Sequence, residues 1–270
     1  MSPRPFIKWA GGKRQIVDDL VRKMPSKFRR YHEPFIGAGA LFFNIDFKNS
    51  YISDINEELI NLYMVIRDKV DDLIEDLKKH KNTERYFYKI RHVDRTEEYP
   101  EWSDIQRASR FIYLNKTCFN GLYRVNSKGQ FNAPYGFYKN PKILDEDNLR
   151  QCSLKLQEAE IVCGSYEDVL KKARKGDFVY FDPPYMPLSK TSSFTGYTRD
   201  GFSHADQVKL MNLCSQLNKK GVQFMQSNSH NEFILELYKD FNVYETQAIR
   251  AINCKGDKRG KIPEVIITNY

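Results

Sequence analysis

Short apolar runs rich in β-branched and aromatic residues recur in the first and last parts of the chain, with helix-like stretches between them. The runs are YHEPFI (31–36), SYIS (50–53), AEIVCG (159–164), DFVYF (177–181), VQFMQS (222–227) and EVIITNY (264–270). Each is short and built from β-formers, which predicts buried strands. Between them, DINEELINLYMVIRD places Ile55, Leu59, Leu62 and Ile66 at helical spacing. Asp54 with Glu57 reads as a capping box for that helix. Ser203 with Asp206 reads as another, followed by an apolar stripe of Leu210, Leu213, Cys214 and Leu217 that Gly221 can close. Ser229 with Glu232 reads as a third. Strands alternating with helices predict an α/β fold, a mostly parallel sheet with helices on both faces.

The middle of the chain breaks this alternation. From Asn56 to Leu144 helical patterning continues but no buried strand is visible. The organisation expected is one discontinuous unit, 1–55 with 145–270, carrying a mainly helical insert at 56–144. A length of 270 residues suits one large domain with such an insertion.

Charge sharpens this division. The net charge is +8, which favours an anionic partner without naming one. Between Ile105 and Leu144 there is no Asp or Glu, where the chain average of 35 acids in 270 residues predicts about five. The same window holds Arg107, Arg110, Lys116, Arg124, Lys128, Lys139 and Lys142, with eight Phe or Tyr residues from Phe111 to Tyr138. Cations interleaved with aromatic rings are what phosphate neutralisation and base stacking require. Part of the aromatic set must nevertheless serve as core. Cys118, Cys152, Cys163, Cys214 and Cys254 are odd in number and widely spaced, against a disulfide framework or zinc site and in keeping with a reducing cytoplasm. No metal site is expected. The start, MSPRPFIKWAGGK, lacks the apolar run of a secretory leader, and no run approaches a membrane span. A soluble cytoplasmic chain is expected, with nothing that demands a dimer.

Four stretches carry candidate chemistry. EPFIGAGALFF runs from a strand toward an expected helix, with Gly37 and Gly39 allowing a tight turn and close approach of a ligand. A dinucleotide fingerprint would need a third glycine where Phe42 stands, so a nicotinamide enzyme is disfavoured. Asp54, seventeen residues past Gly37, stands where nucleoside-binding α/β folds place an acid for ribose hydroxyls, although its capping role is also open. FIKWAGGKRQ lacks the glycine spacing and the Ser or Thr of a phosphate loop. Trp9 and Lys13 could instead set a ring and a cation against a ligand, or serve only packing and solvation.

The fourth stretch is GDFVYFDPPYMPL. Prolines have no amide donor, so the strand must stop at Asp182-Pro183-Pro184-Tyr185. After the fourth strand of an open parallel sheet, that end faces the ligand crevice. The Asp182 carboxylate and Pro183 carbonyl could accept hydrogen bonds from one amino group while Tyr185 stacks on the attached ring. A plain strand end explains one proline but not all four residues.

Taken in order, KWAGGKR, EPFIGAGALFF, SDINEELI, FNGLYRVNSKGQFNAPYGFYKNPKI, GDFVYFDPPY, TGYTRDGFSHADQ and RGKIPEVIITNY resemble the Dam-type DNA adenine methyltransferases, the alpha group of amino-methyltransferases. Within it the sequence is similar above all to the DpnM-like enzymes of GATC restriction-modification systems. The resemblance implies a Rossmann-like class I methyltransferase sheet and S-adenosyl-L-methionine as cofactor. It implies cofactor contacts at Trp9, Lys13, Phe35, Gly37, Gly39, Asp54, Tyr166 and Asp182. Asp182, Pro183, Pro184 and Tyr185 would serve a flipped adenine in double-stranded DNA. The insert would recognise the target, with Arg124 on a guanine, Leu122 and Pro134 on a thymine methyl, and Phe119 wedged where the adenine leaves. Phe119 stands where some relatives carry Tyr. Tyr138 and Lys139 would touch bases or phosphates. The polar loop MPLSKTSSFTGYTRDGF would order on DNA or serve as an ordinary surface loop. Rival readings are an RNA adenine or DNA cytosine-N4 methyltransferase, disfavoured by Asp ahead of the prolines and by the DNA-type insert. A catalytically silent DNA-binding protein on the same fold is disfavoured by the intact motifs.

Overall fold

All six apolar runs enter one seven-stranded sheet in the computed structural model, which describes residues 2–13, 15–186, 202–249 and 261–270. The strands are β1 (Tyr31–Glu33), β2 (Ser50–Asp54), β3 (Ala159–Cys163), β4 (Phe178–Phe181), β5 (Gln223–Ser229), β6 (Asn242–Ile249) and β7 (Lys261–Thr268). Their order is β3-β2-β1-β4-β5-β7-β6, parallel except for β7, which runs antiparallel to β5 and β6. β6 is the one strand the hydrophobic pattern does not reveal. It is an edge strand paired only with β7, so its outward positions stay polar and no apolar run forms.

The helices are α1 (Val17–Lys23), α2 (Glu57–Asp68), α3 (Val70–Leu77), α4 (Glu84–His92), α5 (Asp104–Thr117), α6 (Glu146–Leu156), α7 (Val169–Lys172), α8 (His204–Lys219) and α9 (Glu232–Leu237). Both sheet faces are covered, as β4 makes plain. Phe178 and Tyr180 enter one buried cluster, and Val179 and Phe181 enter the other with Leu210, Leu213 and Leu217 of α8. Full burial of such side chains contributes about 1.5–3 kcal/mol each. Among the described residues no helix is long and apolar enough to cross a membrane.

Two helix starts differ from expectation. The cap of α2 is Asn56, whose side chain accepts from the Leu59 amide, rather than Asp54 with Glu57; Ile55 is correspondingly 63% exposed. The cap of α9 is Asn231, accepting from the Ile234 amide, while Ser229 ends β5 and donates to the Met186 carbonyl. The box of Ser203 and Asp206 at α8 is present as read. Between residues 56 and 144 there is no strand, only isolated bridges at Cys118–Tyr135 and Val125–Phe131. α2 packs on β2 and β3 as well as on α5.

Two of the seven cations in the acid-free window belong to the fold. Arg110 is buried and pairs with Asp94 at 2.8 Å while donating to the carbonyls of Ile90 and Arg91. Arg107 pairs with Glu58 at 2.5 Å. The sheet order reverses between β1 and β4, so their carboxyl ends, Glu33 and Phe181, flank the crevice where such sheets bind ligands.

Candidate active site

Asp182 follows β4 directly, and the β4–β5 register that pairs Phe181 with Gln226 sets it beside Ser227. Ser227 Oγ donates to Asp182 Oδ1 at 3.0 Å and shares a 2.9 Å hydrogen bond with the Tyr180 hydroxyl. Lys13, itself 5% exposed, brings Nζ to 2.8 Å from Asp182 Oδ1. The same ammonium lies 4.2 Å above the centre of the Tyr185 ring and also donates to the Gly11 carbonyl. Tyr185 is fixed by donating its hydroxyl to Glu264 Oε2 at 3.0 Å. Gln207 Nε2 donates to the Pro184 carbonyl at 3.0 Å, and Asn228 Nδ2 holds Gln207 in place. The backbone after Asp182 is thus tied at Pro184 and Met186. Among the described residues no donor reaches the Pro183 carbonyl.

Electrostatically the pocket is rich in carboxyl groups. Burial raises the pKa of Asp182, more than Lys13 and Ser227 lower it. Burial likewise raises Glu264. Glu33, at the end of β1, is pushed up to about 8 by burial, although the Tyr31 hydroxyl donates to it at 2.7 Å. The Tyr185 hydroxyl is held well above its ordinary value, again by burial first.

The glycine turn closes a second side. Gly37 and Gly39 have φ of +46° and +68°, the left-handed region that glycine tolerates. A Cβ at Gly37 would meet the Trp9 ring at 2.8 Å, and one at Gly39 would meet the Tyr63 hydroxyl at 2.9 Å. At both positions a side chain of the protein itself takes the space a Cβ would fill. An α-helix was expected after this turn; only the short 3-10 helix Phe42–Asn44 follows, because Phe42 and Phe43 turn into the core. Asp54 Oδ2 accepts from the Gly37 amide at 3.2 Å and Oδ1 from the Asn56 amide at 3.0 Å. Burial raises its pKa against those backbone bonds. Phe35 and Tyr166 stack at 5.1 Å, with Phe202 edge-on to both at 6.0 Å. Trp9 lies between the glycine turn and Tyr123, its ring stacked 5.5 Å from that of Tyr123.

The residues expected to recognise DNA lie on two paired segments, 117–124 and 131–139, which form one ribbon. Phe119 N donates to the Pro134 carbonyl and Gly136 N to the Thr117 carbonyl, each at 2.8 Å. Phe119, Arg124, Pro134, Tyr138 and Lys139 are exposed and Leu122 is half-buried. Arg124 is oriented by Asn132, donating from Nε to Oδ1 at 2.7 Å and from Nη2 to the backbone carbonyl at 3.1 Å. Most of the loop after Asp182-Pro183-Pro184-Tyr185 lies outside the described residues.

Sequence reading missed Ser227, Tyr180, Glu33, Glu264, Gln207 and Asn228. The signal was present in part: QSNS ends a strand with polar side chains that are wholly buried, and Glu264 interrupts an apolar strand.

Comparison with known proteins gives this geometry its context. The chain is 48% identical over 271 residues to the type II methyltransferase M1.LlaDCHI of Lactococcus lactis subsp. cremoris, covering 99% of this chain and 95% of that protein. It is 45% identical over 290 residues to the type II methyltransferase M.MjaIII of Methanocaldococcus jannaschii, covering 100% of both. It is 37% identical to a DNA adenine methylase of Haemophilus influenzae, covering 98% of this chain and 93% of that protein. Residues 9–252 match the family described as D12 class N6 adenine-specific DNA methyltransferase, and the chain belongs to that family.

Proposed function

We propose that this enzyme transfers a methyl group from S-adenosyl-L-methionine to the 6-amino group of an adenine flipped out of duplex DNA, at GATC. The observation that carries the reading is the position of Lys13. Its ammonium sits 2.8 Å from Asp182 and 4.2 Å over the Tyr185 ring, so an N–H donor already uses the carboxylate an adenine amino group would use and covers the ring on which the base would stack. On adenine entry Lys13 gives up Asp182, and the Asp182 carboxylate and Pro183 carbonyl accept the two amino hydrogens. This draws the nitrogen lone pair out of conjugation and aims it toward the cofactor side. Tyr185, anchored by Glu264, stacks on the base. Ser227 keeps Asp182 oriented while the partner changes. The proton leaves the nitrogen after the N–C bond has formed, so no general base is needed.

The residues present fit the cofactor. Phe35 and Tyr166 offer aromatic faces for its adenine. Asp54 retains lone pairs for ribose hydroxyls beyond the two amide bonds it accepts. When bound, the cofactor supplies an electrophilic methyl group on its cationic sulfur.

The insert is the recognition part in this reading, with Arg124 on guanine and Leu122 and Pro134 on thymine. The enzyme acts as a monomer in the cytoplasm, and the type II names of its relatives favour a modification enzyme. The test is transfer of labelled methyl to two unmethylated duplexes, one with a single GATC and one with it scrambled. Label on the first alone, recovered as methylated adenine, is expected. Label on both removes GATC, and no label on either removes the reaction.

A further inference from the structure

Phe137 is the most exposed large apolar side chain among the described residues, at 71%. It is also one of two non-glycine residues there with positive φ, at +52°; the other is Asn120. Asparagine enters the left-handed region with help from local hydrogen bonds, whereas phenylalanine has no such compensation. Folding alone gives no reason for this arrangement. A ring in water gains little from burial, and the backbone beneath it is disfavoured.

The conformation is nevertheless held from both sides. Gly136 N donates to the Thr117 carbonyl at 2.8 Å on one side. On the other, Asn82 donates from Nδ2 to the Tyr138 carbonyl at 2.8 Å, and its Oδ1 accepts from the Tyr135 hydroxyl at 2.7 Å. The ring makes a T-shaped pair with that of Tyr135, centroids 4.9 Å apart, and most of its surface stays exposed. A flat apolar surface presented this way fits a flat apolar ligand. Exposed Lys139 lies two residues away, and no acid stands between Ile105 and Leu144. Cations beside an exposed aromatic ring recognise a nucleobase on a phosphate backbone better than they recognise a protein surface.

We infer that Phe137 is a second aromatic DNA contact that stacks on a nucleobase near the target adenine. The inference rests on the DNA-recognition role proposed for the ribbon. Distance narrows the position. Phe119 pairs with Pro134, and Phe137 is three residues further along, at most about 10 Å at strand rise. That span covers about three base-pair steps. Phe137 therefore meets a base up to about three steps from the place that Phe119 serves.

Phe137→Asn and Phe137→Trp test this. Asparagine accepts the left-handed backbone without a ring, and tryptophan restores a ring. Duplex affinity, its salt dependence, the KM for cofactor and the Tm are measured on the full chain. Phe137→Asn should weaken duplex affinity about tenfold, the size of one lost stacking contact. Salt slope and cofactor KM should stay unchanged, and Tm should hold or rise as the bulky ring leaves a disfavoured conformation. Phe137→Trp should recover affinity. With 2-aminopurine placed in turn at the three positions on either side of the target, one position should be quenched by wild type and the Trp variant but not by the Asn variant. Unchanged affinity in Phe137→Asn, a Tm that falls together with affinity, or no such quenched position would overturn the inference. Wild type binding GATC and scrambled duplexes alike would sink the GATC reading, and the Phe137 ratio on either duplex would still decide its own case. Wild type binding neither duplex overturns both.

Discussion

Asp182 lies within electrostatic reach of two further carboxyl groups, Glu33 and Glu264, with the Lys13 ammonium close by. Replacing its carboxylate with a neutral amide leaves one carbonyl acceptor but removes the negative charge that polarises the amino group. Asp182→Asn should therefore lower kcat by about 10²-fold or more, the scale of one lost preorganised contact, while duplex affinity survives. Labelled-methyl transfer and anisotropy measured side by side check this, and a fully active variant would remove Asp182 from the mechanism. Glu33 gives a prediction about stability. An unfolded glutamate loses its proton near 4.5, whereas the folded Glu33 keeps it to about 8. Between those values the unfolded chain binds fewer protons, so stability falls as pH rises, by about 1.4 kcal/mol per unit at most. Glu33→Gln retains an acceptor for the Tyr31 hydroxyl and has no proton to lose. Its Tm should decline less than that of wild type from pH 5 to pH 8, and parallel curves would show that Glu33 ionises normally.

Among the elements, the ribbon of residues 117–124 and 131–139 carries the next expectation. Among the described residues Arg124 is aimed by Asn132 and pairs with no carboxylate, so its charge remains available. Arg124→Ala should weaken binding by about 1–3 kcal/mol and relax the choice at one base pair. A methylation profile across single-base variants of the site would reveal it, and unchanged selectivity would move the guanine contact elsewhere. The same scale explains what the sequence made legible. β4 and the inner strands are continuous apolar runs because both faces are covered, and such runs can be read directly. β6 is half solvated and its pattern is mixed. Capping residues were displaced at α2 and α9 because Asp54 and Ser229 have other hydrogen-bond duties, and an Asn stands nearer each helix. Asp182, Tyr185 and the glycine turn were visible as local motifs. Ser227, Glu33 and Glu264 were not, since strand register, not chain proximity, brings them to the site.

Over the whole molecule the positive charge divides into two populations. Arg107 and Arg110 are neutralised by Glu58 and Asp94. Lys139 is exposed on the ribbon. Lys139→Gln should reduce the slope of log affinity against log salt by about one, whereas Arg107→Gln should leave the slope unchanged and lower the Tm. Titrations at several salt concentrations, paired with thermal melts, separate the two, and a shallower slope for Arg107→Gln would place its charge on DNA after all. Trp9 joins the glycine turn to the ribbon. Its ring fills the space left by Gly37 and stacks on Tyr123, which sits in the chain between Leu122 and Arg124. Asn115 adds a clasp, bonding the Lys8 backbone at both its amide and its carbonyl. A graft of residues 56–144 between relatives would thus carry only half of a joint. If the proposed recognition role holds, the unit to exchange to change the recognised sequence includes the first dozen residues, and a chimera cut at 56 and 144 inherits mismatched contacts at Trp9 and Lys8.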